Sequence, residues 1–242
     1  MPLKEGHRLI SDCLMLMRQA KDRYGFLAKN SRVLVGVSGG VDSTVLLALL
    51  LEYNERFSQK WEIHACYVDA GFSKKNTDFI EKFLSNSGVS YTIAKKNISN
   101  KLKNIENRCY PCSRERRKTL LEIADQHSIF QIALAHHTQD AVETLLLNMI
   151  YNGELSTLIP KQSVINGRFF FIRPLYYLSK KQIENIATVF GLPIYKNICP
   201  YYKDSKRELI RNFLDKIKKE NPDVYKNIFR GIFHLKKSYL PS

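Results

Sequence analysis

Apolar positions along the chain follow two alternating periods. From Glu5 to Leu27, Leu9, Ile10, Cys13, Leu14, Met17 and Ala20 recur at helical spacing and predict an amphipathic helix with Cys13 on its packed face. After the polar break Ala28-Lys29-Asn30-Ser31, the run Val33 to Val37 is almost entirely apolar and β-branched, as a strand buried on both faces of a parallel sheet requires. Polar and glycine residues interrupt it. Val41, Val45, Leu46, Ala48, Leu49 and Leu50 then form a helical stripe reaching about Phe57. The alternation continues with strands over Trp61 to Asp69, Ser90 to Ala94, Ile129 to Ala135 and Phe169 to Leu175. Helices are predicted over Thr77 to Ser87, Ser113 to Ser128 and Ser179 to Phe190, and helical segments over Lys206 to Lys219 and Pro222 to Lys237.

This rhythm predicts an α/β fold, a doubly wound and mostly parallel sheet flanked by helices, with helical additions at both ends. Its expected parts are an N-terminal helix over 1–30, a nucleotide-binding domain over 31–198 that carries an inserted Cys-x-x-Cys segment, and a basic helical extension over 199–242 packed on the same domain. Cys66 falls in mid-strand, a core position.

The turn Ser38-Gly39-Gly40-Val41-Asp42-Ser43 lies where a strand hands over to a helix. Unpaired N–H groups at such a helix start attract anions, glycines let a phosphate approach the backbone, and the Ser38, Ser43 and Thr44 hydroxyls add donors. A polyphosphate fits best. The Walker A loop needs a lysine, and none occurs between Val33 and Thr44; the dinucleotide fingerprint needs a third glycine, where Ser43 stands. Asp69 and Gly71, at the carboxyl end of the second predicted strand, are candidates for an adenosine pocket, with a turn-capping role for Asp69 weighing equally.

Composition narrows the partners. The 242 residues carry a net charge of +15, a surplus that attracts nucleic acid, an anionic membrane surface or a polyanionic substrate. No apolar run is long enough to span a bilayer and the N-terminus lacks a signal-peptide core, so a cytoplasmic protein without membrane attachment is expected. Five cysteines, an odd number, argue against a disulfide framework and in favour of metal, cluster or redox use.

Cys109-Tyr110-Pro111-Cys112 sits among Arg108, Arg114, Arg116, Arg117 and Lys118, where neighbouring cations and a helix start near Ser113 favour thiolates. The other cysteine in a loop-like setting is Cys199. Three thiolates make an incomplete zinc site; they suit a [4Fe–4S] cluster with one iron left open, while two surface thiols with an unrelated third remain an alternative. A second polar cluster, His136-His137-Thr138-Gln139-Asp140-Ala141-Val142-Glu143-Thr144, follows a predicted strand. There His136 or His137 is a candidate contact to an α-phosphate and Asp140 a hard oxygen ligand for Mg²⁺, the competing role being to pack or cap the helix.

Ser38-Gly-Gly-Val-Asp-Ser43 resembles, at every position, the Ser-Gly-Gly-x-Asp-Ser signature of the PP-loop ATP pyrophosphatases, which have an adenine nucleotide α-hydrolase-like fold. The resemblance implies ATP cleaved between its α and β phosphates, with Ser38, Gly39, Gly40, Val41, Asp42 and Ser43 holding the pyrophosphate and Asp42 helping to hold Mg²⁺. The His-His stretch resembles the Gly-His-His-x-Asp-Asp-x-x-Glu-Thr pattern of the tRNA-modifying members, with Ala135 for the glycine and Gln139 for the first Asp.

Together with Cys109-Tyr-Pro-Cys112, the following Ser113-Arg114-x-Arg116-Arg117, Arg173-Pro174-Leu175 and Cys199, the set is similar to the tRNA 2-thiocytidine synthetase group of PP-loop sulfurtransferases. That similarity implies an ATP-dependent tRNA thiolase in which Cys109, Cys112 and Cys199 hold a [4Fe–4S] cluster and a pyrimidine C2 oxygen is adenylated before sulfur displaces AMP. Implied partners are tRNA and a sulfur donor, a cysteine desulfurase or free sulfide; a homodimer is left open. Tyr202 stands where the family's distal motif has a further cysteine. The alternatives are a tRNA-Ile lysidine synthetase-like ligase, which has no use for the clustered cysteines, a cluster-free thiolase using Cys112 and Cys199 as a persulfide pair, and a non-catalytic nucleotide- or RNA-binding protein.

Overall fold

The structure is a computed structural model and describes residues 3–103, 105, 108–193 and 205–239. Its elements run α1 (Leu3–Tyr24), β1 (Arg32–Gly36), α2 (Val41–Arg56), β2 (Glu62–Asp69), α3 (Lys74–Ser85), β3 (Ser90–Lys95), α4 (Ile98–Lys101) and α5 (Cys109–Gln126). Then come β4 (Gln131–Ala133), α6 (Thr138–Asn152), β5 (Lys161–Val164), β6 (Phe169–Ile172), α7 (Lys180–Val189), α8 (Lys206–Glu220) and α9 (Val224–Gly231).

Among the described residues the strands form one sheet in the order β3-β2-β1-β4-β6-β5, parallel except for the β5–β6 pair. This is the expected doubly wound α/β sheet flanked by helices. β1 alternates its side chains between two cores. Val33, Val35 and Val37 join α1, α2, α3 and α7 on one face, while Leu34 joins Cys66, Ile132 and Leu120 on the face covered by α5. Strands so covered must be apolar throughout, the property legible in the sequence.

Four local features differ from expectation. β5 was not foreseen because Lys161-Gln162-Ser163-Val164 is an edge strand with a polar surface, and α4 is too short to show a periodicity. The last helix ends at Gly231 rather than near Lys237. α5 begins at Cys109 instead of near Ser113, because Pro111 falls in the helix's first turn, where its missing N–H is no loss. The Cys-x-x-Cys pair therefore sits on a helical turn and not in a loop. The C-terminal helices α8 and α9 pack on α6 through a small core of their own, Val142, Ile210, Leu214, Val224 and Tyr225.

Arg173 of the Arg-Pro-Leu segment is almost fully buried. Its guanidinium donates to the Ile159 carbonyl and, at 3.0 Å, to Gln162 Oε1, so it latches the segment after α6 onto β6. Burial pulls its pKa down to about 10.

Candidate active site

From β1 the chain runs outward through β2 to β3 and then crosses back to β4 on the other side of β1, so the carboxyl ends of β1 and β4 bound the crevice at a topological switch point. The turn of residues 38–40 and the segment 134–137 open there. A cavity of about 620 Å³ occupies that crevice, large enough for a nucleotide, and Ser38, Gly39, Gly40, Val41 and Asp42 form one wall.

Ser43 organises the turn. Its hydroxyl donates to the Gly40 carbonyl at 2.8 Å and accepts from the Ser38 N–H at 3.0 Å and the Ser38 hydroxyl at 3.2 Å. Gly39 takes φ +84°, a conformation that favours glycine, and a Cβ there would lie 2.5 Å from Ile80 Cδ1, so any side chain would also have to displace Ile80. The amides of Val41 and Asp42, at the first two positions of α2, have no intrahelical acceptor and lie on the cavity wall. They form an anion-binding end whose positive dipole adds to their donors.

The opposite wall comes from α6. His137 caps this helix: its Nδ1 accepts from the Gln139 N–H at 3.2 Å, and its own N–H donates to Asp140 Oδ2 at 2.9 Å. An accepting Nδ1 carries no proton, so the proton is on Nε2, which lies 3.4 Å from Asp140 Oδ2 and 3.9 Å from Asp42 Oδ1. Thus His137 both caps the helix and faces the phosphate turn. His136 does not line the cavity, and its Nδ1 is buried without a partner among the described residues. Burial pushes its pKa down to about 4, against the opposing pull of Asp140.

Asp140 is heavily committed. Burial opposes its ionisation, but His137, His136, Arg207 and the His137 N–H together hold its pKa below the usual carboxylate value. Its Oδ1 accepts from Arg207 at 3.2 Å. Beside it, the buried Glu143 takes a hydrogen bond from Arg207 and two from Arg211, so α8 is clamped to α6 at the cavity edge.

Asp69 and Gly71 form the turn after β2, with the Gly71 N–H donating to Asp69 Oδ1 at 2.9 Å; their neighbours Ala70 and Phe72 reach the cavity. Cys109 is exposed and Cys112 half-buried in the first turn of α5. One turn after Cys112 on the same helix face, Arg116 lines the cavity. Cys199 and Tyr202 lie outside the described residues.

Sequence reasoning did not single out Lys180, Arg207, Arg211, Asn76 or Tyr225 at this site. Lys180, at the start of α7, pairs with Asp42 Oδ1 at 2.5 Å. Nothing local marks these residues, because each reaches the cavity only through the packing of its helix. Two buried polar atoms on the wall, Asn76 Oδ1 and Arg116 Nε, have no partner among the described residues, as in a site built around a polar ligand.

The PP-loop domain model matches residues 14–217. The tRNA-cytidine(32) 2-sulfurtransferase of Polynucleobacter necessarius is 31% identical over 241 residues, spanning 98% of this chain and 80% of the relative. The same-named protein of Bdellovibrio bacteriovorus is 32% identical over 226 residues, spanning 92% of this chain and 87% of its own. Among solved structures, the U34-tRNA thiolase NcsA from Methanococcus maripaludis with its [4Fe–4S] cluster superposes with a TM-score of 0.78 at 25% identity, covering 98% of this chain and 84% of that one. With the phosphate turn, the switch-point cavity and this near-full-length similarity in agreement, the chain belongs to the PP-loop family and, within it, to the tRNA-cytidine(32) 2-sulfurtransferase family.

Proposed function

We propose that this chain is an ATP-dependent tRNA thiolase that replaces the C2 oxygen of a tRNA cytidine with sulfur. The observation that carries this is the cavity at the switch point, walled by Ser38 to Asp42 and carrying orphaned polar atoms at Asn76 and Arg116. Relatives bearing the sulfurtransferase name support the substrate, and their name supports position 32.

In this reading the amides of Val41 and Asp42 and the hydroxyl of Ser38 bind the β,γ-phosphates, while Ser43 keeps the turn in shape. The cytidine C2 oxygen attacks the α-phosphorus, the bond to the bridging oxygen breaks, and pyrophosphate leaves into the α2 N-terminus. His137 Nε2–H, in the same cavity and 3.9 Å from Asp42, donates to the α-phosphate. Sulfide then adds at C2, and AMP departs with the former C2 oxygen. Holding both reactants in one cavity supplies the orientation that such a two-step substitution needs.

The residues fit the groups this chemistry uses. Asp42 offers one carboxylate at the cavity rim, and Mg²⁺ binds readily through one carboxylate and phosphate oxygens; Asp140, already engaged by Arg207 and His137, is the weaker candidate. Cys109 and Cys112, three residues apart on one helical turn with basic neighbours, form a chelating pair, to be completed by Cys199. A [4Fe–4S] cluster held by three thiolates has one iron to offer the incoming sulfur.

The test incubates anaerobically prepared protein with unmodified tRNA, Mg-ATP and sulfide, and measures AMP, pyrophosphate and 2-thiocytidine. All three should form in equal amounts, and Asp42→Ala or Ser43→Ala should abolish them. Release of ADP and phosphate would overturn the adenylation chemistry. Thiolation by iron-free protein would instead favour a persulfide on Cys112 or Cys199.

A further inference from the structure

The phosphate turn contains no lysine, yet an ammonium stands beside it. Lys180 is the first residue of α7 and lies 138 positions after Asp42, with Nζ 2.5 Å from Asp42 Oδ1. Both side chains line the phosphate cavity and are about one-third exposed, so each is reachable from it. We infer that Lys180 is the cation that grips the pyrophosphate half of ATP, parked on Asp42 until a divalent metal takes that carboxylate. The inference rests on the ATP reading above and adds a residue to it.

The fold explains why the lysine comes from so far along the chain. α2 and α7 pack side by side on the same face of the sheet, and Ile183, Ile186 and Ala187 of α7 share a core with Val45, Leu46 and Leu49 of α2. Ser179 caps α7, its hydroxyl accepting from the Gln182 N–H at 3.3 Å, so the first turn of α7 is fixed beside the first turn of α2. The ammonium is thus delivered to the place where a lysine within the turn would act.

The other cations on the cavity wall are placed differently. Arg211 is held by Glu143 through two hydrogen bonds, and Arg116 comes from α5 on the opposite face of the sheet. Lys180 holds one carboxylate, and that carboxylate is the Mg²⁺ candidate. A divalent ion arriving at Asp42 competes for the same oxygen and repels the ammonium, whose flexible four-carbon stem lets it swing to phosphate oxygens.

The exchange predicts effects of opposite sign in one variant. Full-length Lys180→Ala should bind Mg-pyrophosphate and Mg-ATP roughly ten- to a hundredfold more weakly than the native chain while binding AMP unchanged, because one charge-assisted contact to the β,γ-phosphates is lost. Without nucleotide, the same variant should bind Mn²⁺ several-fold more tightly, since Asp42 no longer has a competing ammonium, and Asp42→Asn should remove that gain. Lys180→Arg should recover part of the pyrophosphate affinity. Calorimetry for the phosphates and electron paramagnetic resonance for Mn²⁺ give readouts independent of turnover.

A Lys180→Ala chain that binds pyrophosphate as tightly as native, loses AMP in equal measure, or shows no gain in Mn²⁺ affinity overturns the inference. If the native chain binds ATP but the variant behaves identically, only this inference falls. If the native chain binds no ATP at all, the proposed function falls with it.

Discussion

Arg211 meets Glu143 through two hydrogen bonds, Nε to Oε1 at 2.9 Å and Nη2 to Oε2 at 3.1 Å, across 68 residues of sequence. The carboxylate side chain is only 3% exposed, whereas the guanidinium is 32% exposed. Removing the arginine leaves the buried carboxylate with Arg207 as its remaining partner, 3.3 Å away, and removing the glutamate leaves the half-solvated Arg211 on Glu208. Arg211→Ala should lower unfolding free energy by about 1.5–3 kcal/mol, and Glu143→Gln by less, because the amide keeps an acceptor. Urea unfolding of the three proteins checks the order; equal stabilities would show that the clamp adds nothing.

Gly39→Ala tests the turn itself. With φ +84° and Ile80 Cδ1 at 2.5 Å from the new Cβ, the substitution should cost about 1–3 kcal/mol and weaken ATP binding. Adding Ile80→Val removes the nearest clashing carbon but not the backbone penalty. The double variant should regain part of the stability and little of the affinity, as followed by thermal melts and calorimetry.

The exposed residues Arg114 and Lys118, one helical turn apart on α5, together with the basic α8, carry part of the +15 surplus. tRNA affinity should fall steeply with salt, and reversing Arg114 and Lys118 to Glu should reduce the slope of log K against log salt by roughly one per lost phosphate contact. Filter binding at several salt concentrations measures it; a slope unchanged by the double reversal would remove this helix from the tRNA surface.

The cysteines divide by environment. Burial pushes the thiols of both Cys13 and Cys66 up to about 12, so neither supplies a thiolate at neutral pH. Replacing either with Ala should leave iron content and thiolation intact. Cys109→Ala, Cys112→Ala and Cys199→Ala should each lose both, with loss of the brown colour of anaerobic protein. Stoichiometric zinc in the native chain would overturn the cluster assignment.

Short-range chemistry made much of this protein legible in advance. The phosphate turn could be read because its donors, glycines and helix start are contiguous, and Val33 to Val37 could be read because a strand covered on both faces must be apolar throughout. The structure places Asp42 and His137 at one cavity, and His137 proves to be at once helix cap and wall. Where local pattern was weak, the reading failed: a polar edge strand at Lys161–Val164 carries no apolar period, and the start of α5 at Cys109 depends on a proline that a first helical turn tolerates.

What the sequence by itself determined is the sheet, the phosphate turn and the cysteine pair, because each is specified by residues within one or two turns of each other. Tertiary structure alone decided which distant side chains complete the cavity. Lys180 reaches Asp42 because α7 packs against α2, and Arg207 and Arg211 reach Asp140 and Glu143 because α8 packs against α6. Such pairs are set by helix packing over separations of 138, 67 and 68 residues, and no local periodicity encodes a partner that far away.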